Sequence, residues 1–167
     1  MQTIYLAGPG VFRPDATAWG QALQAACAEQ GLCGLYPLDQ ACPADLHGPA
    51  AAAWIFQQNC ALIQQADAVL ADVRAFRSLS EPDSGTAFEI GYAHALGKPI
   101  YLWLPDLPAG VDMQTRLAGV TDAQGWHIED FAAPLNLMLW QAATAVIYAT
   151  DPQSAVEILA ERCAYQR

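Results

Sequence analysis

The chain has 167 residues, of which 54% are hydrophobic and 14% are charged, a composition typical of one compact globular domain. Acidic residues number 17 and basic residues 7, which gives a net charge of -10. Proteins that bind duplex nucleic acid or anionic membranes need stripes of Lys and Arg, and this sequence lacks them. We therefore expect a single domain over residues 1–167 that binds neither nucleic acid polymers nor membranes. A small neutral ligand is compatible with the charge.

The five cysteines form no CxxC pair, and no histidine stands at metal-ligand spacing, which argues against a disulfide framework and a structural zinc site. The first five residues run directly into a strand-like segment, without the basic and apolar regions of a signal peptide. The longest apolar stretch, at 135–149, has about 15 residues and falls short of the roughly 20 that span a bilayer. These features predict a cytoplasmic protein without a bound metal.

In chain order, short apolar runs alternate with segments in which apolar residues recur at helical spacing. The apolar runs predict strands at residues 4–7, 32–36, 67–73 and 98–104. Helices are predicted at residues 15–30, 49–66, 85–96, about 135–149 and about 153–165. Several of these segments are bounded by Gly or Pro, which commonly mark helix ends and starts.

The predicted strands are continuous apolar runs rather than alternating patterns, which is typical of a parallel sheet covered on both faces. Helices that connect parallel strands cross over in the right-handed sense. The predicted fold class is therefore α/β: a doubly wound parallel sheet in three α/β/α layers, Rossmann-like, with flavodoxin-like strand order. Ligands of such folds bind at the carboxyl ends of the strands, which points to the loops after residues 7, 36, 73 and 104.

A Gly-rich turn, Gly8-Pro9-Gly10, follows the first strand. A dinucleotide-binding loop would need a third small residue where Arg13 stands, and Pro9 removes one backbone donor. The turn is better explained as a place where a ligand approaches the backbone closely.

Four acidic residues fall in or beside these loops: Asp39, Asp72, Asp83 and Glu89. Carboxylates that share a crevice repel one another, so their convergence is a feature of functional sites. Glu89 is expected near the start of a helix, where the helix dipole favours an ionised carboxylate, as a nucleophile requires. The alternatives are that Glu89 only complements the dipole and that the aspartates only cap loops.

Tyr5 is the polar-tipped residue of the first strand. Its hydroxyl is either satisfied within the core or reaches the crevice, where it would orient a carboxylate. The three histidines show no paired or HExxH spacing, and no GxSxG motif is present. A histidine base or a serine-hydrolase site is therefore not expected.

Three of the six arginines, Arg13, Arg74 and Arg77, fall in the predicted crevice loops. They are either solvated loop residues or a clamp for a single phosphate, since a guanidinium group binds phosphate oxygens bidentately. The second interpretation would favour a phosphorylated substrate.

Segments along the chain resemble the nucleoside 2-deoxyribosyltransferase family, continuously over residues 3–104 and again in a short late motif. The segments read IYLAGP at 4–9, PLD at 37–39, DAVLAD at 67–72, DSGTAFEIGYA at 83–93 and NLM at 136–138. The segment at 83–93 is the most specific. Each piece alone is weak, but four in order with family-like spacing make a strong resemblance.

The resemblance implies an enzyme that exchanges the base of a 2′-deoxyribonucleoside through a covalent sugar–enzyme intermediate, without a metal or organic cofactor. It implies that Glu89 is the nucleophile at C1′, that Tyr5 holds the Glu89 carboxylate, and that Asp83 binds sugar hydroxyls or helps the base to leave. It also implies that Asn136 and Met138 reach the site of a neighbouring subunit. The protein would then be a homo-oligomer, a dimer or larger, with composite sites.

Substrate contacts are expected from residues of the crevice loops, of the helix before the third strand and of the late motif. These residues are Gly8, Phe12, Asp39, Asn59, Asp72, Asn136 and Met138. Some family members carry an aspartate where Asn59 stands, so the role of this position is left open. Cleavage of an N-glycosidic bond passes through an oxocarbenium-like state that a close carboxylate stabilises and traps, and a second acid can supply the proton that the departing base takes up.

The function predicted is therefore the exchange of purine or pyrimidine bases between 2′-deoxyribonucleosides, with deoxyribonucleosides and free nucleobases as the binding partners. One alternative is a hydrolase of the same superfamily, an N-glycosidase of nucleoside 5′-monophosphates that uses the same glutamate and an arginine clamp. Another is a non-catalytic nucleoside-binding module, because a fold alone does not establish catalysis.

Overall fold

The computed structural model describes residues 1–164, which form five strands and six helices. The strands are β1 (Thr3–Ala7), β2 (Cys33–Leu35), β3 (Ala68–Asp72), β4 (Ile100–Leu104) and β5 (Ala145–Tyr148). The helices are α1 (Ala16–Glu29), α2 (Gly48–Gln65), α3 (Ser84–Ala95), α4 (Met113–Leu117), α5 (Leu137–Ala142) and α6 (Pro152–Ala164). A 3-10 turn over Pro9–Phe12 follows β1. Within this described part, no helix combines the length and apolar character needed to cross a bilayer.

All neighbouring strands are parallel, in the order β2-β1-β3-β4-β5. This is the flavodoxin-like order, and helices cover both faces of the sheet, so the predicted α/β fold is confirmed. The strand order reverses between β1 and β3, where such folds bind their ligands. The loops that follow these two strands therefore lie at the expected place for a site.

The alternation of side chains along β1 decides which helix layer each residue meets. Ile4 and Leu6 are buried against the layer formed by α1 and α6. Tyr5 and Ala7 point to the opposite face and are buried against α2 and α3. Tyr5 is therefore on the same side of the sheet as the helix that carries Glu89.

The predicted helix at 135–149 is wrong. The segment contains the short helix α5, a break at 143–144, and the fifth strand β5, which pairs with β4 at the sheet edge. A continuous apolar stretch does not by itself separate a buried helix from a buried strand, whereas the run Val146-Ile147-Tyr148 has the β-branched and aromatic character of a strand. The last helix is confirmed over Pro152–Ala164, and residue 165 of its predicted span lies outside the described residues.

Gly8 directly follows β1 and lies close to Asp72, the last residue of β3. Its φ of 150° is unfavourable for residues with a side chain. A Cβ at this position would lie 2.8 Å from the Cβ of Asp72. Glycine thus allows the two strand ends to approach and leaves the backbone of the loop open to the adjoining pocket.

Candidate active site

A pocket of about 290 Å³ opens beside the carboxyl end of β1, between the loops after β1 and β2 and the helices α2 and α3. It is lined by Gly8, Val11, Phe12, Pro37, Leu38, Ile55, Asn59, Asp83, Gly85 and Glu89. Most of this surface is apolar, and a few polar groups converge on it, which is the usual character of a small-molecule site. Five of the residues predicted from the sequence line it, namely Gly8, Phe12, Asn59, Asp83 and Glu89.

Tyr5 and Glu89 form a short hydrogen bond beneath this pocket. The Tyr5 hydroxyl donates to Glu89 Oε1 at 2.5 Å, a length typical of a hydroxyl bonded to a carboxylate. Tyr5 is fully buried. Burial, with the negative charge of Glu89 next to it, raises the pKa of Tyr5 far above that of a free phenol. The tyrosine therefore stays protonated and acts as a fixed donor that orients the carboxylate.

Burial raises the pKa of Glu89 to about 7. The hydrogen bond from Tyr5 lowers this pKa and the nearby charge of Asp83 raises it, but neither outweighs the loss of hydration. Glu89 lies in the second turn of α3, whereas the field of a helix terminus acts mainly on the first turn. The hydrogen bond from Tyr5 favours the charged form, and a contribution from the helix dipole stays a prediction.

Asp83 is the N-cap of α3. Its carboxylate accepts hydrogen bonds from the Thr86 backbone N–H at 2.9 Å and from the Thr86 hydroxyl at 3.2 Å. A carboxylate at this position satisfies one of the unpaired amides of the helix start. Asp83 thus caps the helix that carries Glu89 and also presents an acidic group to the pocket.

Asn59 lines the pocket from helix α2. Its side-chain oxygen is buried and has no hydrogen-bond partner among the described residues. Buried polar atoms of native proteins nearly always have a partner, so an orphaned atom at the wall of a pocket is a feature of a binding site. The amide offers both a donor and an acceptor, whereas an aspartate at this place would carry charge.

Phe12 lines this pocket and is also part of an aromatic stack that contacts Arg77. Its ring stacks on Phe76 with 5.2 Å between the centroids, and the Arg77 guanidinium lies over both rings. Arg77 adopts a positive φ of 55°, a conformation that residues other than glycine rarely adopt. The contacts with Phe76 and Arg77 hold the Phe12 ring in place, although more than half of this residue is exposed.

Arg13 and Arg74 are each held by a neighbouring aspartate outside the pocket. Arg13 Nε lies 2.8 Å from Asp15 Oδ1, and Arg74 Nε lies 2.8 Å from Asp72 Oδ2. None of the arginines in the described residues lines the Glu89 pocket. The structure therefore does not assemble the predicted phosphate clamp in this pocket.

Asp72 and Asp39, both predicted to contact substrate, lie outside the wall of the pocket. Asp72 follows the alternation of β3 onto the α1 side of the sheet, and burial raises its pKa while Arg74 acts in the opposite direction. Asp39 accepts hydrogen bonds from the Tyr36 backbone N–H and the Gln24 amide. Both carboxylates are thus engaged in local hydrogen bonds, and contacts from them to substrate stay a prediction.

Asn136 and Met138 also lie away from this pocket. Asn136 is the N-cap of α5, where its side-chain oxygen accepts from the Met138 backbone N–H at 2.9 Å. The Met138 side chain is 72% exposed. A contribution of this segment to the pocket of its own subunit is therefore not formed, and a contribution to a neighbouring subunit stays a prediction.

Five further residues line the pocket and were not predicted from the sequence: Val11, Pro37, Leu38, Ile55 and Gly85. Ile55 precedes Asn59 by four residues on α2, so the two share one helix face. Val11, Pro37 and Leu38 lie in the segments predicted to follow the carboxyl ends of β1 and β2. Gly85 lies in the first turn of α3. The spacing of Ile55 from Asn59 and the position of these loops are both visible in the sequence. Residues 1–164 contain no group of three or more His, Cys, Asp or Glu side chains that could hold a metal ion.

Comparison with known proteins gives a family match over most of the chain. The model of the nucleoside 2-deoxyribosyltransferase family matches residues 4–138. Among solved structures, a 2-desoxiribosyltransferase from Leishmania mexicana is similar with a TM-score of 0.78 and 33% identity, covering 96% of this chain and 98% of that one.

Two curated proteins are similar over part of the chain. An uncharacterized protein of Schizosaccharomyces pombe is 33% identical over 99 residues, which cover 58% of this chain and 47% of that protein. A 5-hydroxymethyl-dUMP N-hydrolase of Rattus norvegicus is 34% identical over 80 residues, or 47% of this chain and 44% of that protein. The chain therefore spans less than half the length of the curated relatives it matches.

Proposed function

Since the chain belongs to the nucleoside 2-deoxyribosyltransferase family, whose members are enzymes that act on N-glycosidic bonds, we propose that it exchanges bases between 2′-deoxyribonucleosides, with Glu89 as the nucleophile. The observation that carries this proposal is the 2.5 Å hydrogen bond from the buried Tyr5 hydroxyl to a carboxylate at the wall of a 290 Å³ pocket. A carboxylate held in one orientation suits attack on a sugar carbon.

In the first step, a carboxylate oxygen of Glu89 bonds to C1′ of the donor as the C1′–N bond breaks. The electron pair of that bond goes to the base nitrogen, and the departing base takes up a proton. The Glu89 carboxylate stabilises the oxocarbenium-like transition state and then traps the sugar. Asp83, the other acid of the pocket, either binds the sugar hydroxyls or assists proton transfer to the base.

In the second step, a nitrogen of the incoming base attacks C1′ while the bond to Glu89 breaks. The bonding pair returns to the carboxylate, and the incoming base loses a proton. Each step inverts C1′, so the product keeps the configuration of the donor, as in retaining glycosidases. The carboxylate must be ionised at the start of the cycle, which the hydrogen bond from Tyr5 favours.

The charge of the pocket supports a nucleoside rather than a nucleoside 5′-monophosphate as the substrate. Its charged lining residues are the acids Asp83 and Glu89, which repel a phosphate group. Arg13 and Arg74, the candidates for a clamp, are engaged by Asp15 and Asp72. The similarity to the rat N-hydrolase keeps transfer of the sugar to water as the second candidate reaction.

The proposal includes an oligomer with composite sites. The exposed Met138 and the adjoining Asn136 lie outside the Glu89 pocket of their own subunit, which leaves them available to the Glu89 pocket of another subunit. Large apolar side chains are exposed nearby in sequence, including Trp126 and Phe131. Such residues are commonly buried where subunits meet.

The experiment that tests the proposed function is chromatography of purified protein incubated with 2′-deoxyadenosine and free cytosine. Base exchange predicts 2′-deoxycytidine and adenine in equal amounts, and Glu89→Ala should abolish both. Adenine without 2′-deoxycytidine would show hydrolysis instead, and 2′-deoxyadenosine 5′-monophosphate is then the substrate to compare. Binding without any turnover of either compound would favour the nucleoside-binding module.

A further inference from the structure

A single glutamate, Glu129, holds the segment that precedes α5. Its Oε1 accepts a hydrogen bond from Asn136 Nδ2 at 2.6 Å, and its Oε2 accepts from the Leu137 backbone N–H at 2.9 Å. Both oxygens of one carboxylate thus bind consecutive residues, and hydrogen bonds to a charged acceptor are stronger than neutral ones. Glu129 fixes both the side chain of Asn136 and the direction in which the chain enters α5.

The chain before Asn136 is anchored as well. The Met113 backbone N–H donates to the Ala133 carbonyl at 2.8 Å, and Arg116 Nη1 donates to the Pro134 carbonyl at 2.9 Å. These contacts attach the stretch to α4, in a part of the fold with little regular structure. The anchored stretch ends at Met138, whose side chain is exposed. A rigidly held segment that presents an exposed side chain is suited to contact another molecule.

The hydrogen bonds of Asn136 define what it can still offer. Its side-chain oxygen accepts from the Met138 N–H, and one of its two amide hydrogens goes to Glu129. One N–H remains, and the carboxylate of Glu129 sets its direction. An amide donor held in this way suits an oxygen acceptor such as a sugar hydroxyl.

We propose that Glu129 is a positioning residue for the active site of the adjoining subunit: it fixes the Asn136–Met138 segment so that this segment contacts the sugar of a deoxynucleoside bound at the partner's Glu89 pocket. This inference rests on the proposed function, with its composite sites. It assigns to Glu129 a role in substrate binding across a subunit boundary, although Glu129 lies outside the Glu89 pocket of its own subunit.

Homomeric variants give the first test. Glu129→Ala removes both hydrogen bonds and is expected to weaken the binding of 2′-deoxyadenosine, measured as Kd by calorimetry, by about tenfold. Glu129→Gln keeps one acceptor oxygen but turns its amide NH2 group towards the other donor, so an intermediate loss is expected. Glu161→Gln, an exposed change on α6, is the matched control and should bind like the wild type. Circular dichroism verifies that each variant is folded.

A mixed oligomer gives the decisive test. Subunits with Glu129→Ala and subunits with Glu89→Gln are co-expressed with different tags, and the mixed species is isolated. If Glu129 acts on the neighbouring site, one site combines an intact Glu89 with an intact Glu129 from the other subunit. Base exchange then returns with the KM of the wild type, although each homomer is impaired. If Glu129 acts only within its own subunit, mixing restores nothing.

These experiments distinguish failure of the proposed base exchange from failure of the positioning role of Glu129. A wild type that binds 2′-deoxyadenosine without exchanging bases contradicts the proposed function, and the effect of Glu129→Ala on Kd still tests the positioning role. An unchanged Kd in Glu129→Ala, or a mixed oligomer that keeps the KM of that variant, overturns the inference about Glu129. A wild type that is monomeric, or that fails to bind the nucleoside at all, overturns it as well.

Discussion

The Tyr5 hydroxyl donates to Glu89 Oε1 at 2.5 Å across 84 residues of sequence. The contact exists because alternation along β1 turns Tyr5 to the face of the sheet that α3 covers. The pair also sets the protonation state of the site, since burial raises the pKa of Glu89 and the tyrosine opposes that shift. The catalytic behaviour of the protein is expected to depend on this balance.

The first prediction concerns the pH dependence of the wild type. The proposed nucleophile, Glu89, must be ionised to attack, and burial raises its pKa to about 7. We expect kcat/KM for 2′-deoxyadenosine to rise with pH and to level off above about pH 7, because this parameter reports ionisations of the free enzyme. Initial rates between pH 5 and 9 at constant ionic strength measure the curve. A plateau already reached at pH 5 would contradict the assignment.

The second prediction concerns Tyr5→Phe. Loss of the hydroxyl removes the interaction that favours the charged carboxylate, so the pKa of Glu89 should rise further. A hydrogen bond to a charged group contributes about 1.5–3 kcal/mol, and we expect kcat/KM at pH 7 to fall by roughly tenfold or more. The same pH–rate measurement should show the acidic limb displaced to higher pH. Tyr148→Phe, on the edge strand β5, is the control and should leave the profile in place.

The third prediction concerns Asp83→Asn, which should move the profile in the opposite direction. The negative charge of Asp83 raises the pKa of Glu89, and asparagine removes that charge while remaining able to cap α3. The acidic limb should shift to lower pH with little change in the free energy of unfolding. Asp83→Ala also loses the cap and should destabilise the protein by about 0.5–2 kcal/mol in urea unfolding. An acidic limb that stays in place in Asp83→Asn would show that the charge does not act on Glu89, and an upward shift would contradict the sign of its effect.

The fourth prediction concerns stability. A carboxyl group whose folded pKa is about 7, against an ordinary value of 4.5, holds its proton more strongly in the folded state. Its contribution is favourable at low pH and is lost as pH rises from about 4.5 to about 7. Glutamine keeps the acceptor for Tyr5 and does not ionise. Glu89→Gln should therefore match the wild type at pH 4 and be more stable at pH 8, by at most roughly 3 kcal/mol.

Urea unfolding at the two pH values measures this difference, and Glu161→Gln on the exposed surface of α6 serves as the comparison. The comparison variant should show no growing advantage with pH. A Glu89→Gln protein that is less stable than the wild type at pH 8 would mean that the carboxylate is not held at a cost in the folded state.

The four strands that the sequence predicted from apolar runs are present. The strands β1, β3 and β4 are almost entirely buried, and the edge strand β2 is half-buried. The fifth strand was missed because it follows α5 after only two residues, within one apolar stretch at 135–149. Helical and strand periodicity cannot be separated over so short a span. The β-branched residues Val146 and Ile147 were the available signal, and pairing with β4 decides the outcome.

The sequence predicts the position of a site residue well when the residue lies on a regular strand or helix, because the periodicity of the element decides which face its side chain occupies. Tyr5 and Glu89 meet because the alternation of β1 turns Tyr5 to the face that α3 covers. Asp72 stands two residues after Leu70 on β3, so it points to the same face as Leu70, the one covered by α1. That spacing was visible in the sequence. The contact of Arg74 with Asp72 and the capping by Asp39 depend on side-chain conformations in loops, which residue spacing does not determine.

A search for the sugar on Glu89 tests the covalent mechanism itself. Wild-type protein is mixed with 2′-deoxyadenosine without an acceptor base, quenched within one turnover, and analysed by mass spectrometry of the intact chain and its peptides. The mechanism predicts a mass increase of one deoxyribosyl group on the peptide that contains Glu89, loss of that increase when cytosine is added, and no increase in Glu89→Gln. Release of adenine with no adduct at any quench time, or an adduct on another residue, would contradict the account.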